Sequence, residues 1–209
     1  MSKTISAALL SIDAISLSLS EPYTWASGIR SPIYCDNRLI LTAPAVRTLV
    51  ETAIVAQIQD MYPACEILMG TATAGIAHAA IAAYILNLPM GYVRQSSKGH
   101  GKQNQIEGKL MSGQKVVVIE DLISTASSAI EAVEALREAG AEVLGIISIF
   151  TYNMARGCEN LKRAKIECTS LTDFDTVIEV AAEQGKIQQN DVDTLLAFRD
   201  NPSDESWIK

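Results

Sequence analysis

The sequence predicts an α/β fold, a parallel sheet with helices on both faces. Three observations carry that expectation. Strand and helix signals alternate from 64 to 150, as in a parallel sheet with crossover helices. The run Val116, Val117, Val118, Ile119 has the unbroken, β-branched character of a strand buried on both sides. Two acids, Glu120 and Asp121, follow it directly, and four hydroxyl residues, Ser124, Thr125, Ser127 and Ser128, come next. The polar chemistry therefore sits at the carboxyl end of a strand, where open α/β sheets bind ligands.

At 209 residues and 48% apolar, the chain reads as a single domain, 1–209, with a full core. Residues 4–18 read as a first helix, with Ile5, Leu9, Ile12 and Ile15 on one face. Asp13 interrupts that run, so it reads as a packed helix and not a membrane signal. A small hood follows at about 20–40. It has extended pieces near 23–25 and 33–35, joined through Ser27, Gly28, Ile29 and Arg30, with Pro32 favouring an edge strand. Residues 42–60 read as a helix with Thr42 as N-cap and Pro44 in the first turn.

Residues 67–69 read as a strand, and 70–80 as a small-residue turn leading into a helix. Backbone amides at such turns hold phosphate or pyrophosphate. Close packing of small residues accounts for the pattern equally well. His78 falls inside the apolar helix and reads as a core residue. The uncharged run 67–93 contains Gly70, Gly75, Asn87 and Pro89. It does not read as a spanning helix, which needs about 20 continuous apolar residues.

After a strand at 90–94, residues from about 95 to 110 are polar, glycine-rich and without period. So long a stretch reads as a flexible functional loop. Between Arg94 and Lys115 lie five basic residues and one acid, Glu107, in a chain whose net charge is -7. A cationic loop beside the acid-bearing strand suits closure over a polyanion; a solvated charged loop is the plain alternative. Residues 128–139 read as a helix stopped by Gly140. Its start offers unpaired N–H groups and a positive dipole end to a phosphate, while the acids can take sugar hydroxyls. Residues 142–150 form another buried strand. Beyond 157 come a helix, a short strand near 166–169 and helices at 173–183 and 188–198, without a catalytic constellation.

The acidic balance argues against bulk nucleic-acid or anionic-membrane binding. Four separated cysteines without a CxxC pair, and only two histidines, leave no credible zinc site and point to reduced thiols in the cytoplasm.

The stretch VVVI, Glu120, Asp121, Leu122, Ile123 and the hydroxyl loop 124–128 resembles the ribose-phosphate signature of type I phosphoribosyltransferases. The strings SGIRSPIY at 27–34 and KGHGK at 98–102 resemble the hood and catalytic loop of the orotate phosphoribosyltransferases of Gram-positive bacteria. With the turn at 70–75 and the SWIK tail, the resemblance covers nearly the whole chain.

That resemblance implies a phosphoribosyltransferase core with a hood and a mobile catalytic loop. The implied reaction joins phosphoribosyl pyrophosphate (PRPP) to orotate, with magnesium (Mg2+), in a homodimer with shared active sites. Lys98, His100 and Asp121 would be catalytic, and Arg94, Lys98, His100 and Lys102 would meet the pyrophosphate. Glu120 and Asp121 would hold the ribose hydroxyls. Leu122, Ile123, Ser124, Thr125, Ala126, Ser127 and Ser128 would complete the PRPP site. Tyr34, Cys35 and Ser124 would line the orotate pocket. The metal would be held mainly by PRPP and water, with no direct protein ligand. The chain departs from the family at Ala126 and Ser127, where the phosphate loop carries glycine, and at Ala26, Ala74 and Gln95, where some members carry lysine. Two other classes are a PRPP-binding regulator without catalysis and a phosphoribosyltransferase for another base.

Overall fold

The computed structural model describes residues 1–25, 27–94 and 105–208. In chain order the elements are α1 (Ser2–Ser11), β1 (Ile15–Leu17), β2 (Tyr23–Thr24), β3 (Arg30–Ser31), β4 (Ile33–Cys35), a 3₁₀ segment (Asn37–Thr42), α2 (Pro44–Met61), β5 (Ile67–Thr71), α3 (Gly75–Leu86) and β6 (Met90–Val93). Then come β7 (Ile106–Glu107), β8 (Lys115–Ile123), α4 (Ser127–Glu138), β9 (Glu142–Thr151), α5 (Ala155–Arg163), β10 (Cys168–Asp173), α6 (Phe174–Glu183) and α7 (Asp191–Asp200).

Six strands form the main sheet in the order β10-β9-β8-β5-β6-β7. All its pairings are parallel except the last, where β7 runs antiparallel to β6 at the edge. The expected parallel sheet is found; the short antiparallel edge strand β7 falls in the stretch read as a loop, because two residues are too few to show a strand pattern.

The central strand serves two cores at once. Successive side chains of a strand point to opposite faces. Val117 and Ile119 pack with Leu68, Ile147 and Ile149 beneath helices α1, α2 and α6. Val116 and Val118 pack with Ile67, Met69 and Ile146 beneath α4. Burial of each such aliphatic side chain stabilises the fold by about 1.5–3 kcal/mol, so this run anchors both layers.

The N-terminal region departs most from the sequence expectation. The first helix ends at Ser11, and Asp13 takes a left-handed backbone (φ 56°). Ile15 then starts a strand, whose partner is β4: Ile15 faces Cys35 and Leu17 faces Ile33. The hairpin pairs β2 with β3, not with 33–35. Thr42 does not cap α2; it closes the 3₁₀ segment, and Pro44 opens the helix behind Ala43. Proline fits that first position because its missing N–H would have been unpaired anyway. Smaller corrections fall later: β8 runs on through both acids to Ile123, α5 starts at Ala155, the next strand is 168–173 and the last helix starts at Asp191.

An aromatic seam joins the hood to the carboxyl-terminal tail. Trp25 lies 5.1 Å from Tyr152 and 5.9 Å from Phe198 between ring centroids, and Phe198 lies 5.9 Å from Trp207. Trp25 also donates its indole N–H to the Ile33 carbonyl at 3.3 Å. No described helix is long and apolar enough to cross a membrane.

Candidate active site

A cavity of about 390 Å³ opens at the carboxyl ends of β5 and β8. Three parts of the chain build it. The hood contributes Cys35, Asp36 and Arg38, the turn after β5 contributes Ala72, Thr73 and Ala74, and β8 with its loop contributes Glu120, Asp121, Leu122, Ser124 and Ser128. The turn reaches β8 because α3 starts with glycine: a Cβ on Gly75 would lie 2.4 Å from the Ile119 carbonyl oxygen. Asn37 pins the hood to the same strand end, donating from Nδ2 to the Asp121 carbonyl at 2.7 Å.

The adjacent acids differ in environment. Glu120 is buried and Asp121 is half-buried. Burial first, then Asp121 beside it, holds the Glu120 carboxyl well above the usual carboxylate range, against a smaller opposite effect of Thr71. One Glu120 oxygen accepts the Asp121 N–H at 3.0 Å. At the hood, Arg38 grips Asp36 at 2.6 and 2.8 Å and holds its carboxyl below the usual range. Burial, then Asp121 and Asp36, pushes the Cys35 thiol well up. Cys35 therefore offers a neutral wall and not a nucleophile.

Ile123 and Ala126 are buried in the core beneath α4, so each has only its backbone to offer. Thr125 and Ser127 bond to each other through their hydroxyls at 3.1 Å. Tyr34 is exposed and lays its ring 5.5 Å from that of Tyr23. Arg94 lines a small hollow next to the cavity with Ser128 and pairs with Glu107 at 3.2 Å. Lys98, His100 and Lys102 lie outside the described residues, as do Ala26 and Gln95. Among the described residues no group of three or more His, Cys, Asp or Glu could hold a metal ion. Sequence reasoning missed Asp36 and Arg38, which line the cavity, and Asn37, which pins the hood to it. Only the spacing of Asp36 and Arg38 carried any local signal, and such pairs are common on surfaces.

Ala126 answers the question raised by the missing glycine. It adopts the left-handed conformation itself (φ 62°, ψ 8°) immediately before α4. That costs about 1–2 kcal/mol. Ala126→Gly would relieve it, but would remove a buried methyl worth about 0.8 kcal/mol and loosen the unfolded chain by about 0.4–1 kcal/mol. The terms nearly cancel. Ala126→Gly is expected to change unfolding free energy in urea by less than about 1 kcal/mol; a gain above about 2 kcal/mol would contradict this balance.

Comparison with known proteins decides the family. Residues 40–184 match the model of the phosphoribosyl transferase domain. Over 208 residues, the chain is 54% identical to orotate phosphoribosyltransferases of Bacillus cytotoxicus and Bacillus cereus, covering 100% of this chain and 99% of each relative. The chain belongs to the orotate phosphoribosyltransferase family.

Solved structures agree with a phosphoribosyltransferase fold. Orotate phosphoribosyltransferase from Aeropyrum pernix superposes with a TM-score of 0.75 at 29% identity, over 88% of this chain and 99% of that one. UMP synthase of Leishmania donovani gives 0.80 at 27% identity, over 95% of this chain and 42% of that longer one.

Proposed function

We propose that this chain transfers the 5-phosphoribosyl group from PRPP to orotate, giving orotidine 5′-monophosphate and pyrophosphate, in pyrimidine synthesis. The observation that carries the reading is the single cavity in which the hood, the turn at 72–74 and the acid-bearing end of β8 meet. Orotate as the base is supported by the whole-chain likeness to enzymes of that name.

As pyrophosphate leaves carbon 1, positive charge grows on the ribose ring. Asp121 stands where its carboxylate can take ribose hydroxyls and offset that charge. Backbone amides and hydroxyls of 124–128 hold the 5′-phosphate at the start of α4, and Cys35 with Ser124 faces the base. Tyr34 belongs to the base side through the hood string. Arg94 and, by the KGHGK string, Lys98, His100 and Lys102 neutralise the leaving group and shut out water. The carboxyl groups around the cavity are the adjacent Glu120 and Asp121, one of them buried, and Asp36, which Arg38 already holds; that set suits an ion carried by the substrate's phosphates better than a protein cage. Magnesium bound in that way would supply charge neutralisation to the departing pyrophosphate.

Lys98→Ala is expected to lower kcat at least tenfold while the orotate KM changes less than threefold; equal losses in both would contradict a role confined to the leaving group. A homodimer with shared sites fits the apolar side chains left open on α3, Tyr84 at 87% and Ile85 at 51% exposure. A cytoplasmic location fits the four free cysteines.

The testing experiment is a magnesium-dependent assay of orotate absorbance with and without PRPP. Turnover of orotate over uracil, hypoxanthine and adenine supports the reading. PRPP binding by calorimetry without turnover would replace it with a non-catalytic regulator.

A further inference from the structure

The geometry points to Asn160, on α5, as a positioning residue that aims the phosphate loop through the carbonyl of Thr125. This rests on the phosphoribosyl reading of the cavity.

Three successive carbonyls of the loop are turned to one side. The Ile123 oxygen accepts the Tyr152 N–H at 2.9 Å. The Ser124 oxygen lies so close to α5 that a Cβ on Gly157 would come within 2.2 Å of it. The Thr125 oxygen accepts a hydrogen bond from Asn160 Nδ2 at 2.9 Å. A trans peptide is planar, with its N–H opposite its carbonyl. The N–H groups of Ser124, Thr125 and Ala126 therefore face away from Tyr152 and α5. Successive amides turned the same way make an anion-binding concavity, and here it runs directly into the start of α4.

Asn160 matters because of Ala126. A non-glycine residue at φ 62° is strained, so rotation of the Thr125–Ala126 peptide would relieve strain and withdraw one N–H from the anion. The Asn160 bond opposes that rotation. Asn160 is itself held in orientation: Arg163 Nη2 donates to its Oδ1 at 2.8 Å. The far end of α5 is tied to α4, since Arg137 donates to the carbonyls of Ala164 and Lys165 at 3.0 and 3.1 Å. α5 thus works as a strut behind the loop.

The test uses the full chain with Asn160→Ala and Asn160→Asp; neither replacement can donate to a carbonyl. Gly157→Ala serves as an independent disturbance from the same helix. Ribose 5-phosphate affinity is read by calorimetry, PRPP and orotate kinetics by absorbance, and folding by thermal melting. The expected result is a loss of about tenfold in ribose 5-phosphate affinity and a matching rise in the PRPP KM, the size of one hydrogen bond. The kcat and orotate KM should stay within twofold in the Asn160 variants, while Gly157→Ala, which presses on the Ser124 carbonyl, should lower ribose 5-phosphate affinity as well. Unchanged ribose 5-phosphate affinity in a folded Asn160→Ala protein would overturn the assignment. So would equal losses in every parameter, or failure of both Asn160 variants to fold. If the unaltered protein binds ribose 5-phosphate but does not consume orotate, the proposed reaction fails, while the affinity measurement still decides the role of Asn160.

Discussion

Asp121→Asn is expected to lower kcat/KM for PRPP by about 10²–10³-fold, the loss typical of removing one preorganised charge from a transition state. Glu120→Gln is expected to cost less than about tenfold. The two acids are neighbours in sequence and act on each other, but the fold buries only Glu120. Glu120 is buried and its carboxyl is held above the usual range by burial first and by Asp121 second. Glutamine therefore imitates a group already biased toward its neutral form, whereas asparagine at 121 removes the more exposed of the two adjacent carboxyls lining the cavity. Equal losses in the two variants would sink this division of labour.

The folded protein holds the Glu120 proton more tightly than the unfolded chain does. Its contribution to stability is complete below the usual carboxylate range and is lost as pH rises toward its raised folded value. Asp121→Asn removes one cause of that raising and leaves burial in place. The ligand-free variant is therefore expected to melt higher than the parent near pH 7 and at nearly the same temperature near pH 4, as differential scanning calorimetry can show.

Glu51→Ala is expected to destabilise the fold by about 3 kcal/mol, lowering the melting temperature by roughly 6–12 °C. Glu51 on α2 and His78 on α3 are each 1% exposed, and His78 Nδ1 lies 2.5 Å from Glu51 Oε1. The remaining atoms, Glu51 Oε2 and His78 Nε2, have no hydrogen-bond partner among the described residues. Removal of the glutamate leaves a buried ring nitrogen with nothing to bond, and that penalty exceeds the net worth of the original bond. Replacing both residues by leucine should recover most of the loss, because the helix interface around them is apolar. A Glu51→Ala melting temperature within 2 °C of the parent would show that water reaches His78 instead.

What the sequence made legible was what repeats locally. The unbroken apolar run of β8 marked a strand buried on both faces, and the acids behind it marked the cavity. The hood was harder because its strands have two or three residues, too short to show alternation. Ile15 also continued the helical spacing of Ile5, Leu9 and Ile12, and only the left-handed turn at Asp13 breaks that helix. The reading of His78 as a core residue agrees with its burial. Its partner could not be foreseen, since Glu51 lies 27 residues away on another helix and nothing local distinguishes it. Asn160 was hidden for the same reason: its meaning comes from the carbonyl it meets 35 residues back in the chain.

The seam of Trp25, Phe198 and Trp207 gives the protein a built-in optical probe. The chain has two tryptophans, and both sit in that seam. Intrinsic tryptophan emission therefore reports on where the hood meets the carboxyl-terminal tail. A spectral change on adding a ligand would signal an event at the hood, and a fusion at the carboxyl terminus would sit next to the reporter.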